Sequence, residues 1–447
     1  MNTRTPPELP GLPVLGNVLE FQRDRTTLLR RAYDQLGPIF TIRLGNRPTV
    51  VLVKPEYHEF FFSETDKKLR MDKPYEFLAA MFGKIAFTAS PEVYQEQRHI
   101  LLAPFQGRKM PGYITVMQQE VEAWMAGLGA QGEFELVSEF EKLTLYIAAH
   151  ALLGNEFRQR VGPEFWRAYR DLAAGMSPVL PPDWPLPRFR RRDRAKAELH
   201  AMIGGMIAER RAALRRSEHS DFLQDFMDAR YKDGRPAEDE LITNLITALV
   251  FAGHETTAGQ ASWTVIELLR HPDSLGFVLD EQSRALTPGD PLDLGKFRQL
   301  QYTEWALREI ERMHPSADIL LRYNAAEYDL GGYHVPQGWF TMVSAGLAHR
   351  LSELFKDPDR FDPLRFGPDR EEDKQHRFAM IGFGGGTHKC AGMGFAMNEM
   401  TVITTLLLQQ FDLELLTPNP PATFGLGASR PAPTHIRYRR KAAQERA

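Results

Sequence analysis

Hydrophobic residues recur at helical spacing through much of this chain. From about Glu92 to Ala285 the pattern is mainly helical, with its longest run from about Glu238 to Arg270. The apolar positions that define this run are Leu241, Leu245, Leu249, Ile242, Ile246 and Val250. Further helices are predicted at about Thr26 to Leu36, Gln301 to Met313 and Gly394 to Gln410.

Short runs of β-forming residues flank the helical region. Ile39 to Leu44 and Thr49 to Val53 enclose Gly45-Asn46, which predicts a tight hairpin. Further strands are predicted around Tyr328 to Val335, Thr341 to Val343 and Phe411 to Leu416. No repeat or long low-complexity linker divides the chain. We therefore expect one mixed domain over residues 1–447, mainly α with smaller β-sheets.

Three segments depart from this pattern. The Pro-rich stretch Pro6 to Pro13, within residues 1–15, predicts an extended arm on the surface. Leu180 to Pro187 predicts a rigid connector, and a cluster of arginines follows it. Residues 430–447 are rich in basic side chains and are expected to form a basic tail.

Composition and charge narrow the class of protein. The 447 residues are 43% hydrophobic and 25% charged, which is ordinary for a globular protein. A net charge of −3 argues against a nucleic-acid partner. A single cysteine forms no internal disulfide, and no run approaches the roughly 18 apolar residues of a membrane span. The start of the chain also lacks the apolar core of a signal peptide. We expect a cytoplasmic protein.

The one cysteine lies in a glycine-rich loop ahead of an apolar helix. The loop reads Phe383-Gly-Gly-Gly-Thr-His-Lys-Cys390-Ala-Gly392. Glycines let the backbone bend closely around sulfur, so that amide N–H groups and the N-terminus of the next helix can stabilise a thiolate. Taken alone, such a cysteine is more often a buried structural residue.

In this setting the loop resembles the haem-binding signature of the cytochrome P450 family. The matching positions are Phe383, Gly386, His388, Cys390 and Gly392. The resemblance implies the cytochrome P450 fold, a single triangular haem-binding domain. It also implies that Cys390 is the ligand of the haem iron, with Phe383 and Gly384 in the loop beside the haem.

A second motif is Glu309-Ile-Glu-Arg312 in the predicted helix Gln301 to Met313. Residues three apart share a helix face, so Glu309 and Arg312 can pair, and alone the motif would indicate a surface ion pair. Arg365 lies where the P450 family supplies a second arginine. The resemblance implies a buried Glu309–Arg312–Arg365 network near the cysteine loop.

A third motif, Ala252-Gly-His-Glu-Thr-Thr257, lies inside the longest predicted helix. Glycine weakens a helix by about 1 kcal/mol relative to Ala, and Thr can bond back to the preceding turn. A kink without function is one interpretation, and a groove for dioxygen and water is the other. The family motif matches Glu255 and Thr256 as an acid–alcohol pair. Thr256 would steady dioxygen and organise a water, and Glu255 would relay protons from solvent.

The resemblance implies haem b, whose two propionates need cationic or hydrogen-bonding partners. Tyr94 and Arg98, one helical turn apart, lie where the family often has Trp and Arg. His388 and Arg322 are the other candidates. For each of these residues a solvated surface role is the competing interpretation.

Three segments are similar to sterol 14α-demethylases of the bacterial soluble type. They are Tyr75 to Phe87, Glu96-Gln97-Arg98, and Pro182 to Arg194 with its Arg-Arg-Arg-Asp-Arg sequence. By that analogy the residues lining the distal pocket are Tyr75, Phe77, Phe82, Phe87, Ala252, Leu320 and Leu426. Core packing is the alternative role of the aromatic ones.

The chain also departs from that branch. Glu255 and Thr257 stand where sterol demethylases usually have His and Ser, and Thr387 replaces an Arg. The substrate class therefore stays open between a sterol and another rigid polycyclic or terpenoid molecule, for hydroxylation or demethylation.

The resemblance implies electrons from NAD(P)H through a separate ferredoxin or flavodoxin and its reductase. No flavin or iron–sulfur motif occurs in the chain itself. A peroxide-driven or rearranging haem-thiolate enzyme is the alternative, and Glu255 with Thr256 argues against it. A haem sensor is a further alternative, for which no output domain is evident.

Overall fold

Helices dominate the computed structural model, which describes residues 4–177, 180–212, 221–287, 289–424 and 428–442. The α-helices are α1 Val18–Leu36, α2 Pro55–Ser63, α3 Ala79–Phe82, α4 Pro91–Leu102, α5 Met110–Ala126, α6 Leu136–Leu153, α7 Asn155–Ala174, α8 Pro187–Ala212, α9 Phe222–Asp228, α10 Asp239–Arg270, α11 Pro272–Ala285, α12 Leu294–Phe297, α13 Gln301–Met313, α14 Ala345–Ala348 and α15 Met393–Gln410.

The strands form small sheets. They are β1 Ile39–Leu44, β2 Arg47–Leu52, β3 Leu69–Arg70, β4 Gln131–Glu135, β5 Ile319–Asn324, β6 Tyr328–Leu330, β7 Tyr333–Val335, β8 Phe340–Ser344, β9 Phe411–Leu415, β10 Ala422–Phe424, β11 Ser429–Pro431 and β12 His435–Arg440. The largest sheet has the order β1-β2-β8-β5-β3, in which β2 and β8 are parallel and the other neighbours antiparallel. The other sheets are β4-β12-β9, β10-β11 and β6-β7.

The chain divides into two compact units. The sheet unit comprises Met1–Glu76, Phe87–Glu92 and Glu311–Cys390, and it contains the largest sheet. The helical unit comprises Phe77–Ala86, Val93–Ile310 and Ala391–Ala447. Helices α3, α5 to α12 and α15, the β4-β12-β9 sheet, and α4 from Val93 onward lie in the helical unit.

Both faces of the largest sheet are buried, because apolar residues alternate between two layers. Phe40 and Ile42 pack in the layer that contains α1, whereas Ile39 packs in the layer that contains α2. This period of two is the geometry of a β-strand. The sheet is therefore a rigid support for the loops at its ends.

Helix α10 is the central helix of the helical unit. It runs from Asp239 to Arg270 without interruption and packs against α6, α8, α15 and β11. Because neighbours cover it on several sides, its buried residues occur all around the helix. The Gly253 turn is helical, so the motif around it does not break the helix.

Helix α15 follows the cysteine in sequence and is strongly apolar. Gly386–Gln410 is long and apolar enough to cross a membrane by length and composition alone, and 50% of its most apolar window is buried in the protein. A core helix passes the same test. Residues such as Val402, Ile403 and Leu407 are fully buried, and α15 packs against α5 and α10.

Local structure refines three expectations. The helix predicted from Thr26 is the second segment of α1, because Asp24 has non-helical dihedral angles and its carboxylate accepts a hydrogen bond from the Thr27 N–H at 3.0 Å. The Pro-rich arm pairs with the sheet edge through the Leu9 N–H and Thr41 carbonyl at 2.9 Å, and Leu9 is buried. Residues 430–440, expected in a basic tail, instead contribute to β11 and form β12.

Candidate active site

The cysteine loop is held in shape by its own backbone. The Cys390 N–H donates to the Phe383 carbonyl at 2.9 Å, and a short helical turn, Gly386–His388, lies between them. Gly384 and Gly386 have φ angles of 70° and 63°, which non-glycine residues adopt only with strain. The loop therefore requires glycine at positions 384 and 386, where the backbone has positive φ angles.

The Cys390 side chain is exposed, whereas cysteines outside disulfides are usually buried. It lies three residues before Met393, the first residue of α15. Phe383 and Gly384 are half-buried in the same loop. An exposed sulfur on a constrained loop suits a metal ligand better than a packing residue.

Arg322 is a buried cation in the sheet unit, with 2% of its surface exposed. Its guanidinium donates to Thr65 Oγ1 at 3.2 Å and to the Leu321 carbonyl at 2.9 Å, and it stacks on Phe61. Burial lowers the pKa of Arg322, although the charges of Tyr75 and Asp66 oppose this effect. Within the described parts of the chain, no carboxylate lies at ion-pair distance from this guanidinium.

Cys390 and Arg322 together fit the group that the sequence resemblance implies. The haem site that the resemblance implies needs a thiolate for the iron and partners for the propionate carboxylates. Cys390 offers the exposed sulfur, and Arg322 offers a buried positive charge with no carboxylate at ion-pair distance among the described residues. A buried unpaired charge is unfavourable without such a partner.

The other propionate candidates differ in their surroundings. His388 Nε2 lies 2.7 Å from Asp66 Oδ2, and both side chains are largely buried. Tyr94 is buried on α4, and Arg98 is exposed on the same helix. Sequence reasoning missed Asp66, since nothing local links it to a histidine far along the chain.

Glu309, Arg312 and Arg365 are fully buried. Arg312 donates to the carbonyls of His349 at 2.8 Å and Pro358 at 2.7 Å. Arg312 and Arg365 both donate to the Arg360 carbonyl, at 3.3 and 3.1 Å. The two guanidiniums therefore organise the same stretch of backbone, and the pairing of Glu309 with them stays a prediction.

Arg365 also has a carboxylate partner that the sequence did not indicate. Its Nη1 donates to Glu372 Oε2 at 2.7 Å, and Glu372 is 6% exposed. Arg370 approaches the other oxygen of Glu372, with its Nε at 2.9 Å. Glu372 is therefore held by two arginines.

His349 connects this arginine network to the cysteine loop. Burial first, and then the charge of Arg312, lower the pKa of His349 to about 3, so the imidazole is neutral. Its Nε2 accepts from the Ile381 N–H at 2.9 Å, and its Nδ1 lies 3.3 Å from the Arg312 carbonyl. Because Ile381 comes just before the loop, the network fixes the point where the loop begins.

The acid–alcohol pair lies on α10. The Thr256 hydroxyl donates to the Ala252 carbonyl at 2.6 Å, in the preceding turn. Glu255 is 6% exposed, while Ala252 is exposed. With its own proton donated to Ala252, the Thr256 oxygen is oriented as an acceptor for a water or another protonated group.

The proposed pocket residues fall into two groups. In the sheet unit the rings of Tyr75 and Phe87 meet edge to face at 6.2 Å, and Leu320 lies 4.0 Å from the position of a Cβ at Gly384. In the helical unit Phe82 is fully buried against Phe251, with ring centroids 5.2 Å apart. Phe77 is half-buried, and Leu426 lies outside the described residues.

Arg322→Gln tests the proposed role of the buried cation. The variant should bind haem about 10- to 100-fold more weakly, because it loses one hydrogen bond to a charged group of about 1.5–3 kcal/mol. Glutamine retains a donor for Thr65, so unfolding of the haem-free protein should change little. Haem titration and urea unfolding measure the two effects. Arg47→Gln is the control, because Arg47 also stacks on an aromatic ring of the same sheet, Phe340, but is exposed. Equal haem affinity in the two variants would contradict the assignment of Arg322 as a propionate partner.

The fold and the cysteine loop fit the family that the sequence resembles. The family model described as Cytochrome P450 matches residues 6–436. The chain therefore belongs to the cytochrome P450 family and is a haem-binding monooxygenase with the P450 fold.

The chain is similar to sterol 14-demethylases within this family. The sterol 14-demethylase of Arabidopsis thaliana is 33% identical over 93% of this chain and 87% of the plant protein. The sterol 14alpha-demethylase of Mycobacterium tuberculosis is 32% identical over 95% of this chain and 96% of its own length. The solved structure of retinoic acid bound cyanobacterial CYP120A1 has a TM-score of 0.88 and 27% identity, covering 99% of this chain and 100% of that one. The predicted likeness to sterol 14-demethylases is confirmed.

Proposed function

We propose that this chain is a cytoplasmic monooxygenase that hydroxylates or demethylates a rigid lipophilic substrate of the sterol or terpenoid class. Electrons from NAD(P)H reach it through a separate ferredoxin or flavodoxin and its reductase. The observation that carries the proposal is the similarity to sterol 14-demethylases over 93–95% of the chain. The edge-to-face pair of Tyr75 and Phe87 supports it, since aromatic side chains suit flat apolar molecules.

Cys390 is the proposed ligand of the haem iron, and Arg322 the proposed partner of a propionate. Haem bound through a thiolate supplies the activation of dioxygen. The chain's own residues hold the haem, position the substrate and move protons. His388, Tyr94 and Arg98 remain the further candidates for the propionates.

Glu255 and Thr256 are the proposed proton-transfer pair. Glu255 is buried one residue before Thr256, and its carboxylate can hold a proton that comes from solvent. Because Thr256 donates its own proton to Ala252, its oxygen can accept a hydrogen bond from a water and position that water for the transfer. An acid at position 255, where sterol demethylases usually have His, favours a proton relay like that of generic hydroxylases.

A spectral binding screen of the purified haem protein tests the substrate class. Sterols and polycyclic terpenoids are titrated separately, with fatty acids as the flexible control class. Substrates that displace a ligand of the haem iron shift its absorption, and product analysis with a ferredoxin system then identifies the oxidised carbon. We expect binding and product with a polycyclic class; binding and turnover of fatty acids alone would contradict the proposal. Equal turnover with hydrogen peroxide alone would instead favour a peroxide-driven enzyme.

Thr256→Ala should separate oxygen consumption from product formation. We expect normal haem content. Product per NAD(P)H should fall by about tenfold to a hundredfold, because positioned proton transfer typically contributes a hundredfold or more to a reaction rate. The missing electrons should appear as hydrogen peroxide. Product, peroxide and NAD(P)H are measured in one reaction.

Thr264→Ala is the matched control for this variant. Thr264 lies two turns later on α10, and its hydroxyl donates to the Gln260 carbonyl at 2.8 Å in the same manner. The control should retain coupling. If both variants, or neither, divert electrons to peroxide, the assignment of Thr256 fails.

A further inference from the structure

Arg430 lies between two carboxylates of the helical unit. It forms an ion pair with Glu141 of α6, and its Nη1 lies 3.9 Å from Glu255 Oε1 on α10. The side chains of Glu255, Arg430 and Glu141 are 8%, 29% and 31% exposed. The three groups therefore lead from the buried acid to side chains that reach solvent.

A close approach of backbone to helix places Arg430 there. Strand β11 crosses α10 at Gly259, one turn beyond Glu255. A Cβ at Gly259 would lie 3.0 Å from the Ser429 carbonyl oxygen and 3.1 Å from Arg430 Cβ. A larger residue at this position would require the strand that carries Arg430 to shift slightly.

Helix α6 contacts α10 next to Glu255. Thr144, three residues after Glu141 and on the same helix face, donates its hydroxyl to the His254 carbonyl at 3.0 Å. Glu141 is thereby presented toward α10 beside Arg430. The arrangement combines residues from α6, α10 and β11, which are far apart in sequence.

Two titratable groups near Glu255, His254 and Tyr169, are neutral. Burial lowers the pKa of His254 to about 4, although a hydrogen bond to the Val250 carbonyl opposes it. Burial, and then the charge of Glu255, raise the pKa of Tyr169, whose hydroxyl lies 3.5 Å from His254 Nδ1. Arg430 is thus a cation that can compensate the buried Glu255 carboxylate, while Glu141 adds negative charge on the solvent side.

We propose that Arg430 is a positioning residue that holds Glu255 as a carboxylate and, with Glu141, forms the entry route for protons. The inference rests on the proposed role of Glu255 and Thr256. A proton from solvent passes at the Glu141 side to the Glu255 carboxylate. Once neutral, Glu255 is attracted less by Arg430 and is free to turn toward Thr256 and release the proton. The carboxylate then pairs again with Arg430, and the proton ends in the water that the monooxygenase reaction forms.

Infrared spectroscopy of the haem protein tests the charge state without turnover. Arg430→Met should produce a protonated carboxyl band at neutral pH that the parent protein lacks, because the buried carboxylate loses its cation. The band should vanish in Arg430→Met/Glu255→Gln and be absent in Arg430→Lys. Arg437→Met is the matched control, since Arg437 also bridges two glutamates, Glu133 and Glu414, on the neighbouring sheet.

Coupling measurements test the route. Arg430→Met and Glu141→Gln should each lower product per NAD(P)H by about tenfold, less than the roughly hundredfold or greater effect of a proton-transfer group itself, and raise the solvent isotope effect. Glu141→Gln retains Arg430 and provides the test if Arg430→Met does not fold. Normal coupling and no new band in these variants would overturn the inference, while uncoupling in Thr256→Ala would still support the proposed function. Normal coupling in Thr256→Ala would instead reject the relay itself.

Discussion

Replacing Cys390 by serine is expected to abolish both the red-shifted Soret band of the ferrous carbon monoxide complex and monooxygenase activity. The chain contains one cysteine, so no other thiolate can take its place. A serine hydroxyl is a poor ligand for haem iron at neutral pH, because it does not ionise as a thiol does. The loop itself should persist, since its closing hydrogen bond joins the backbone of residues 390 and 383 at 2.9 Å.

Difference spectroscopy and haem content measure this outcome. Lys389→Ala is the control, because Lys389 is the exposed neighbour of Cys390 and should leave the band unchanged. Urea unfolding shows whether the serine variant is folded. A folded serine variant that keeps the red-shifted band would remove Cys390 as the ligand.

The cysteine loop could be predicted because its requirements are local. Gly384 and Gly386 are needed for φ angles of 70° and 63°, and such needs are visible as glycines in the sequence. The bounds of α10 and α13 also followed from hydrophobic spacing, which alone identifies a buried helix face. The hairpin of β1 and β2, which was predicted from two β-forming runs around Gly45-Asn46, is confirmed.

Contacts between distant segments could not be predicted in this way. His349 bridges Arg312 and Ile381, yet nothing around His349 in the sequence indicates either partner. Arg430 reaches Glu255 only because β11 crosses α10 at Gly259. The basic residues after position 430 led to the prediction of a tail. That prediction used charge alone and overlooked that Ile436 and Tyr438 alternate with the basic residues and are buried along β12.

The proposed role of Glu255 on α10 depends on its contact with the distant residue Arg430. A glutamate where sterol demethylases usually have histidine adds a negative charge that a buried site does not tolerate without compensation. Arg430 supplies a compensating charge at 3.9 Å. In our proposal, Glu255 and Arg430 act as a pair, in which Arg430 compensates the carboxylate that stands where sterol demethylases usually have histidine.

Arg365→Leu is expected to destabilise the protein strongly. The fully buried guanidinium donates to the carbonyls of Lys356 and Arg360 and to Glu372 at 2.7 Å. Removing one member of a buried charged network leaves its partners unpaired, which costs about 3–5 kcal/mol of unfolding free energy. Urea unfolding of the haem protein measures the loss. Arg437→Leu is the control, because its exposed pairs should contribute only about 0–1 kcal/mol.

The pH dependence distinguishes loss of the ion pair from loss of packing. Burial raises the pKa of Glu372, but the hydrogen bonds and charges of Arg370 and Arg365 outweigh it and bring the pKa below its ordinary value of 4.5. A carboxyl with a lowered folded-state pKa stabilises the protein above its unfolded pKa, and this contribution disappears as the pH falls through the folded value. The difference between parent and Arg365→Leu should therefore be full at neutral pH and shrink below about 4.5. A difference that stays constant across this range would mean that Arg365 stabilises the fold by packing and carbonyl contacts rather than through Glu372.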